Sequence, residues 1–178
     1  MKWEVLESEY LHRRPWLTVR RDKVRLPDGT VHPEYYVLEY PTWVNVIALT
    51  PEGKFVMVKQ YRHGLGIVAT ELCAGVAEEG EVPPEAARRE LRRRRVSVAV
   101  SGSCCRCFVR IRGANNLSYS FVARGVVRVA EQHPDETEDV RVEILDEEQV
   151  WDMLVNDDLK QALMAAPLWR FFALKGRG

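Results

Sequence analysis

Apolar and polar residues alternate in short runs along the first sixty positions of the chain, which is the period of β-strands with one buried face. Two turns rich in proline and glycine interrupt these runs, Pro27-Asp28-Gly29 and Thr50-Pro51-Glu52-Gly53. Each turn is expected to join two strands, the first pair forming an N-terminal hairpin or small antiparallel sheet. The predicted strands are Thr18–Leu26, Tyr35–Tyr40, Val44–Leu49 and Phe55–Gln60, and "ATELCAG" adds a short one that ends at Gly75.

The pattern becomes helical beyond Gly75. Pro83 and Pro84 suit the first turn of a helix, residues 85–91 favour helix strongly, and the arginines at 92–95 could extend it. Strands are then predicted near 96–100, 117–130 and 140–145. Asp146 is a predicted N-cap for a helix over 147–154. A last helix from about Leu159 is expected to bury Leu163, Leu168, Phe171, Phe172 and Leu174. This order of elements favours a mixed α/β sandwich.

The charge of the chain is unevenly distributed, although its 178 residues carry no net charge. Residues 92–113 contain seven arginines and no acidic residue, whereas the other 156 residues have a net charge of −7. A basic block is typical of a nucleic-acid surface, which is one hypothesis for it. Cys104, Cys105 and Cys107 lie in the same block, but no second Cys or His pair follows at the spacing of a zinc site.

The cellular setting predicted from the sequence is the cytoplasm. No apolar run is long enough to cross a membrane, and the first residues do not follow the pattern of a signal peptide. We therefore expect no membrane partner.

The segment from Gly75 to Leu91 combines a glycine turn with carboxylates in a loop and on a helix. Glycine lets the backbone turn sharply beside a ligand. Glu81 in the loop and Glu90 on the helix, with Arg89 beside it, are suitable oxygen ligands for a magnesium ion that also binds phosphates. The alternative is a solvated acidic helix whose first-turn glutamates are favoured by the helix dipole.

This segment resembles the Nudix box, whose pattern is G-x5-E-x7-R-E-U-x-E-E-x-G-U, with U a bulky apolar residue. Here Gly75, Glu81, Arg89, Glu90 and Leu91 take their places with both long spacings intact. The flanking stretches "VMVKQYR", "ELCAG", "GEVPPEAARREL" and "DETEDVRVEIL" are similar to the ADP-ribose pyrophosphatase branch. The resemblance implies the Nudix α/β/α sandwich with a mixed sheet over residues 43–178, preceded by an antiparallel β element over 1–42.

The resemblance also implies the chemistry and the residues of the site. A complete member binds Mg2+, with Mn2+ as a possible substitute, and cleaves a nucleoside diphosphate derivative by water attack; ADP-ribose gives AMP and ribose 5-phosphate. Family members are commonly dimers that exchange N-terminal strands, so a homodimer is expected. The implied metal ligands are Glu81, Glu90 and the Ala74 carbonyl; Arg62, Glu71 and Gly75 belong to substrate binding, and Arg89 with Glu136 or Glu138 belongs to catalysis. For Arg62 a pairing with a nearby acid is the alternative, and for Glu136 and Glu138 a solvated acidic loop.

The second half of the box departs from the family pattern. Arg93 and Arg94 stand at the positions of its two glutamates, and Val96 stands at its glycine. A guanidinium at a ligand position repels a metal ion and cannot lose its proton. We therefore predict weakened metal binding and little or no hydrolysis.

Two origins of the departure remain open. The expected Glu-Glu-Glu-Thr-Gly, encoded GAG GAG GAG ACG GGT, reads Arg-Arg-Arg-Arg-Val one base later, which is the sequence at 92–96. A frameshift over about 92–115 is therefore one hypothesis, and codons incompatible with this string would contradict it. The other is natural divergence to a non-catalytic Nudix-fold protein that binds a nucleotide or a nucleic acid through Arg92–Arg95. We expect the ligand of this chain to be a small nucleoside diphosphate derivative and not a nucleic acid.

Overall fold

The chain folds into two compact units in a computed structural model that describes residues 1–94, 96–97, 104–105, 113–128 and 140–176. One unit comprises Met1–Thr42 and Arg110–Leu117; the first range is described in full, and the second over 113–117. The other comprises Trp43–Val109 and Ser118–Gly178, with the gaps just given.

The N-terminal unit contains a three-stranded antiparallel sheet. Its strands are β1 (Glu4–Arg14), β2 (Leu17–Arg25) and β3 (Val31–Glu39), with β2 in the centre. Gly29 closes the predicted turn between β2 and β3 with a φ of +88°, a conformation that glycine adopts without strain. Strand β1 was not predicted. It is exposed along most of its length and is joined to β2 by backbone pairing and by ion pairs such as Lys23–Glu7 and Arg25–Glu4, so it lacks the alternation of a half-buried strand.

The second unit is built on a mixed six-stranded sheet. In chain order its elements are β4 (Trp43–Leu49), β5 (Phe55–Arg62), β6 (Ile67–Val76), α1 (Pro83–Arg93), β7 (Val96–Ser97), β8 (Cys104–Cys105), β9 (Ser118–Arg124), β10 (Val127–Arg128), β11 (Val140–Leu145), α2 (Glu147–Val155) and α3 (Ala162–Leu174). Along the sheet the order is β11-β5-β6-β4-β9-β8; β4 and β9 are parallel, and the other neighbouring pairs are antiparallel. Strands β7 and β10 form a separate antiparallel pair.

Helices cover both faces of this sheet, because successive residues of a strand point to opposite sides. Along β4, Val44, Val46 and Ala48 belong to the core cluster that contains the apolar residues of α1. Ile47 and Leu49 belong to the cluster that contains those of α2 and α3. The α/β/α sandwich with a mixed sheet and an N-terminal antiparallel sheet is therefore confirmed. Among the described residues, no helix is long and apolar enough to cross a membrane.

The predicted turn at residues 50–53 joins β4 to β5, which pair at Ala48–Val56 and Leu49–Phe55, while β4 pairs mainly with β6 and β9. One expectation for the second unit was wrong. Leu174 does not enter the core and is 73% exposed. At about 100° per residue it lies away from the side of α3 on which Leu168 and Phe172 are buried.

Candidate functional site

The buried side of helix α1 fixes the rotation of the helix about its own axis. This rotation decides where the side chains of the candidate site lie. Ala86, Ala87 and Leu91 pack into the core, and Pro83 and Pro84 occupy the first turn, where a missing N–H costs little. The same rotation buries Glu90, whose side chain is 4% exposed. A carboxylate at this depth requires compensating partners.

Gly75 on β6 lies directly against the Glu90 side chain. A Cβ built on Gly75 would stand 2.7 Å from both Cγ and Oε1 of Glu90, and closer still to Cδ. Atoms of real side chains do not approach so closely, so any other residue at 75 would displace Glu90. The long spacing between the box glycine and this glutamate therefore has a structural cause.

We expect Gly75→Ala to lower the free energy of unfolding by about 1–3 kcal/mol, the usual cost of overpacking a filled space. Urea denaturation of the purified chain measures the change. Gly64→Ala is the matched control, since a Cβ at Gly64 meets no atom within 4 Å. Equal stability of the two variants would show that Glu90 moves aside without cost.

Arg89 connects the loop to the helix. Its guanidinium donates to both carboxylate oxygens of Glu81, at 3.0 and 2.8 Å, to the Val76 carbonyl at 2.8 Å, and to Glu90. The hydrogen bonds from Arg89 to Glu81, with one from the Glu78 N–H, lower the pKa of Glu81 to about 2 from its usual 4.5. A lowered pKa means that this pairing is fully present above pH 4.5 and is lost as the pH falls toward 2.

Arg93 supplies a second guanidinium to Glu90. It lies one helical turn further along α1, and its Nη1 donates to Glu90 Oε1 at 3.1 Å while its Nη2 lies 3.9 Å from Glu78. Arg93 and Arg94 are thus both basic, at positions where the resemblance predicts glutamates. Arg94, the second of them, is buried.

The buried Arg94 lies near Cys73 on β6. Burial raises the pKa of the Cys73 thiol to about 12, and the positive charge of Arg94 opposes that rise only in part. Cys73 is therefore a neutral thiol in the core at neutral pH. It takes the place of the proline in the family's lead-in and has no reactive thiolate.

These residues do not fit a divalent cation. Within the described chain, no three His, Cys, Asp or Glu side chains are arranged to hold a metal ion. The carboxylates of Glu81 and Glu90 are instead hydrogen-bonded to Arg89 and Arg93. The Ala74 carbonyl belongs to β6 in the stretch that pairs with β4, beside Gly75. Guanidinium groups therefore compensate the acids that a metal ion would otherwise bind.

A second set of polar side chains surrounds Glu71 on β6. Arg62 holds its carboxylate with two hydrogen bonds, Nε to Oε1 at 2.7 Å and Nη2 to Oε2 at 2.5 Å, and Gln161 donates to Oε1 at 2.5 Å. Glu71 is 3% exposed, and the bidentate contact raises the pKa of Arg62. The alternative of an acid partner for Arg62 is thus what the structure shows. Sequence reasoning missed Gln161, which lies 90 positions from Glu71 and has no local signal.

A pocket of about 500 Å³ opens beside this set. It is lined by Tyr61, Arg62, His63, Gly64, Leu65 and Gln161. The pocket is large enough to take a small polar ligand, and Arg62 is the cation in its wall. Strand β6 thus carries both Glu71, which holds that arginine, and Gly75, which accommodates Glu90.

Some of the predicted residues lie outside the part of the chain that the structure describes. Glu136 and Glu138 lie outside the described residues, as does Arg95. Of the remaining three arginines in the Arg92–Arg95 block, Arg92 and Arg93 are exposed and Arg94 is buried. The described part of the block is therefore not a continuous basic surface of the kind that binds nucleic acid.

Known proteins resemble the chain in both units. A family model described as the nucleoside diphosphate sugar hydrolase N-terminal domain matches residues 3–38, and the NUDIX domain model matches residues 39–165. An ADP compounds hydrolase of known crystal structure superposes with a TM-score of 0.81 at 18% sequence identity, covering 100% of this chain and 98% of the other. At that identity the superposition shows the fold alone.

Three curated relatives match part of the chain. An ADP-ribose pyrophosphatase of Mycobacterium tuberculosis (strain ATCC 25618 / H37Rv) is 40% identical over 91 residues, 51% of this chain and 44% of the relative. An ADP-ribose pyrophosphatase of Bacillus subtilis (strain 168) is 41% identical over 70 residues, 39% and 37% respectively. A methanol dehydrogenase activator of Bacillus methanolicus is 36% identical over 88 residues, 49% and 47%.

The matched part spans less than half the length of each of these relatives. The matches nevertheless confirm the resemblance to the ADP-ribose pyrophosphatase branch that the loop and helix motif predicted. Because the NUDIX model covers well over half of the residues, the chain belongs to the NUDIX domain family.

Proposed function

We propose that this protein binds nucleoside diphosphate derivatives of the ADP-ribose and ADP-sugar type, and that its hydrolysis of them is strongly impaired. The observation that carries the proposal is the position of Glu90. It lies against Gly75 and beside Arg89, as the family motif requires, but its other hydrogen-bond partner among the described residues is Arg93.

The binding half of the proposal is supported by the family and by the pocket at Arg62. The relatives named as ADP-ribose pyrophosphatases match this chain at about 40% identity, in agreement with the resemblance of its loop and helix. Arg62, Glu71 and Gly75 are the proposed substrate-binding residues. Glu71 holds the Arg62 guanidinium, and Gln161 in turn donates to Glu71. The Arg62 side chain nevertheless remains 38% exposed, so it can contact a ligand.

The impairment follows from charge. In complete Nudix diphosphatases a divalent metal, proposed here to be Mg2+ or Mn2+, neutralises the diphosphate and helps water to attack phosphorus. Two unit charges of like sign 4 Å apart repel by about 4 kcal/mol at an effective dielectric of 20. Arg93 and Arg94 place such charges where ligands would stand, so Glu81, Glu90 and the Ala74 carbonyl form an incomplete metal site.

The remaining assignments are proposals that rest on the resemblance. Arg89 positions Glu81 and Glu90, and Glu136 or Glu138 would accept the proton of the attacking water. We further propose that residues 1–42 and 43–178 act as two domains, and that the protein is a cytoplasmic homodimer. Size-exclusion chromatography with light scattering tests the dimer, and a monomer at micromolar concentration would contradict it.

Calorimetric titration with ADP-ribose, run beside chromatographic detection of AMP in Mg2+ or Mn2+, tests the function. We expect ADP-ribose to bind and AMP to accumulate at the rate of the uncatalysed reaction or slightly above it. AMP and ribose 5-phosphate, each lacking the diphosphate, are the control ligands and should bind more weakly. Binding of neither ADP-ribose nor ADP-glucose at millimolar concentration would refute the proposal, and rapid turnover would refute the impairment.

A further inference from the structure

Three polar side chains are buried on one face of the two parallel strands of the sheet. Asn45 on β4 is 1% exposed, and Ser118 and Ser120 on β9 are 2% and 1% exposed. Two residues further along the same strands, Ile47 and Val122 belong to the core cluster that contains the apolar residues of α2 and α3. Since alternate residues of a strand share a face, the three polar side chains lie on the side that these helices cover, opposite α1.

The polar atoms of this cluster are unpaired among the described residues. Asn45 Oδ1 and the hydroxyl oxygens of Ser118 and Ser120 are all enclosed, and none has a hydrogen-bond partner there. The other end of the Asn45 amide is paired, since its Nδ2 donates to the Leu163 carbonyl at 3.0 Å. Buried polar groups of native proteins are almost always hydrogen-bonded, either to the protein or to an ordered water. Three unpaired groups side by side therefore indicate a bound molecule.

The register of the two strands sets the spacing between the unpaired atoms. Asn45 is the partner of Ser120 in the parallel ladder. Neighbouring strands lie about 4.8 Å apart, and paired residues point to the same face. A water molecule makes hydrogen bonds of about 2.8 Å to each of two oxygens. One water therefore spans a spacing that is too wide for a direct bond between the two side chains.

The three groups together offer the acceptors and donors that one water molecule uses. Asn45 Oδ1 only accepts, whereas each serine hydroxyl both donates and accepts. Ser118 lies about 6.6 Å along the strand from Ser120 on the same face, and its hydroxyl is free to rotate toward the same point. A buried water typically makes about three hydrogen bonds of this kind. The groups carry no charge, so they do not favour a divalent cation, which takes about six oxygen ligands, carboxylates among them.

We infer that a buried water molecule bridges Asn45 Oδ1 and the Ser120 hydroxyl, with Ser118 as its third partner. The water holds the Asn45 amide in the orientation in which Nδ2 donates to Leu163. Leu163 lies two residues after Gln161, whose side chain reaches β6. The bound water therefore helps to fix the start of α3 against the sheet. This binding site is independent of the proposed nucleotide site.

The sign of the change in stability on removing one hydroxyl is the test. With the water bound, Ser120→Ala takes one hydrogen-bond partner from it, so the melting temperature of the full chain should fall by about 2–4 °C. Without a water, the same substitution removes an unpaired hydroxyl from the core, and the melting temperature should rise. Thr70→Val is the matched control, because it removes a hydroxyl from β6 at a position that solvent reaches. It should shift the melting temperature by less than about 1 °C.

A high-resolution crystal structure of the unaltered chain locates the molecule directly. We expect one peak of water density within about 3.2 Å of both Asn45 Oδ1 and Ser120 Oγ, and a weaker peak or none in Ser120→Ala. A higher melting temperature for Ser120→Ala, a change equal to that of Thr70→Val, or a site without density would each overturn the inference. A peak with about six oxygen neighbours at the distances of a bound metal would also overturn it, because a cation and not a water would occupy the site.

Discussion

The double variant Arg93→Glu/Arg94→Glu is expected to bind Mg2+ and Mn2+ and to release AMP from ADP-ribose roughly 100-fold faster than the unaltered chain. The two substitutions remove the guanidiniums that stand at the positions of the family's two glutamates and restore those acids. Each changes the formal charge of its position from +1 to −1. Glu81 and Glu90 then become part of a carboxylate cluster that favours a divalent cation.

Two measurements separate metal binding from catalysis. Mn2+ binding is followed by electron paramagnetic resonance, and AMP release by chromatography. Arg88→Glu/Arg92→Glu is the control, since it makes the same change of charge on the same helix at positions outside the family's ligand pattern. Equal rates for the unaltered chain and the variant would show that Arg93 and Arg94 do not limit activity. Mn2+ binding without an increased rate would place the limit elsewhere, for example at Glu136 or Glu138.

The substitution Arg62→Ala is expected to lower the free energy of unfolding by about 2 kcal/mol. Removing one member of a buried pair costs about 3–5 kcal/mol, and we reduce this because the Arg62 side chain is 38% exposed and water screens part of its interaction. Glu71 would keep Gln161 as a donor but lose both hydrogen bonds from the guanidinium. For a chain of this length the melting temperature should fall by about 4–8 °C.

A double-mutant cycle shows whether the loss comes from the unpaired acid. Arg62→Ala/Glu71→Gln should be more stable than Arg62→Ala alone, because a neutral amide costs less to bury than a carboxylate. Lys59→Ala is the control on the same strand, since its pair with Glu143 is more exposed and should contribute less than about 1 kcal/mol. Similar losses for Arg62→Ala and Lys59→Ala would show that the pairing of Arg62 with Glu71 stabilises the fold no more than an exposed ion pair does.

The helical part of the candidate site could be predicted because it depends on local geometry. Pro83 and Pro84 mark the start of α1, and 3.6 residues per turn bring residues three and four apart to one side. Glu90 and Arg93 are three apart, and Arg89 and Arg93 are four apart. Their contacts with each other and with the loop are therefore consistent with the motif, while the catalytic roles assigned to them remain predictions.

Long-range pairing could not be predicted in the same way. The pairing of β4 with β9 joins residues more than seventy positions apart, and hydrophobic alternation specifies a buried face but not a neighbour. The same applies to Gln161, which reaches Glu71 only because the start of α3 is brought to β6. Strand β1 was not predicted because it has no buried face. Ion pairs and backbone pairing hold it to β2.

The sequence by itself determined the family, through the spacing of Gly75, Glu81, Arg89 and Glu90, and it determined the departure at Arg93 and Arg94. This spacing identifies the family because each of the four positions meets a fixed steric or chemical requirement. Only the tertiary structure decided what those residues do together. It placed the Glu90 side chain against the bare backbone of Gly75, and it left this buried acid with guanidinium partners because an ionised carboxylate in the core must be paired.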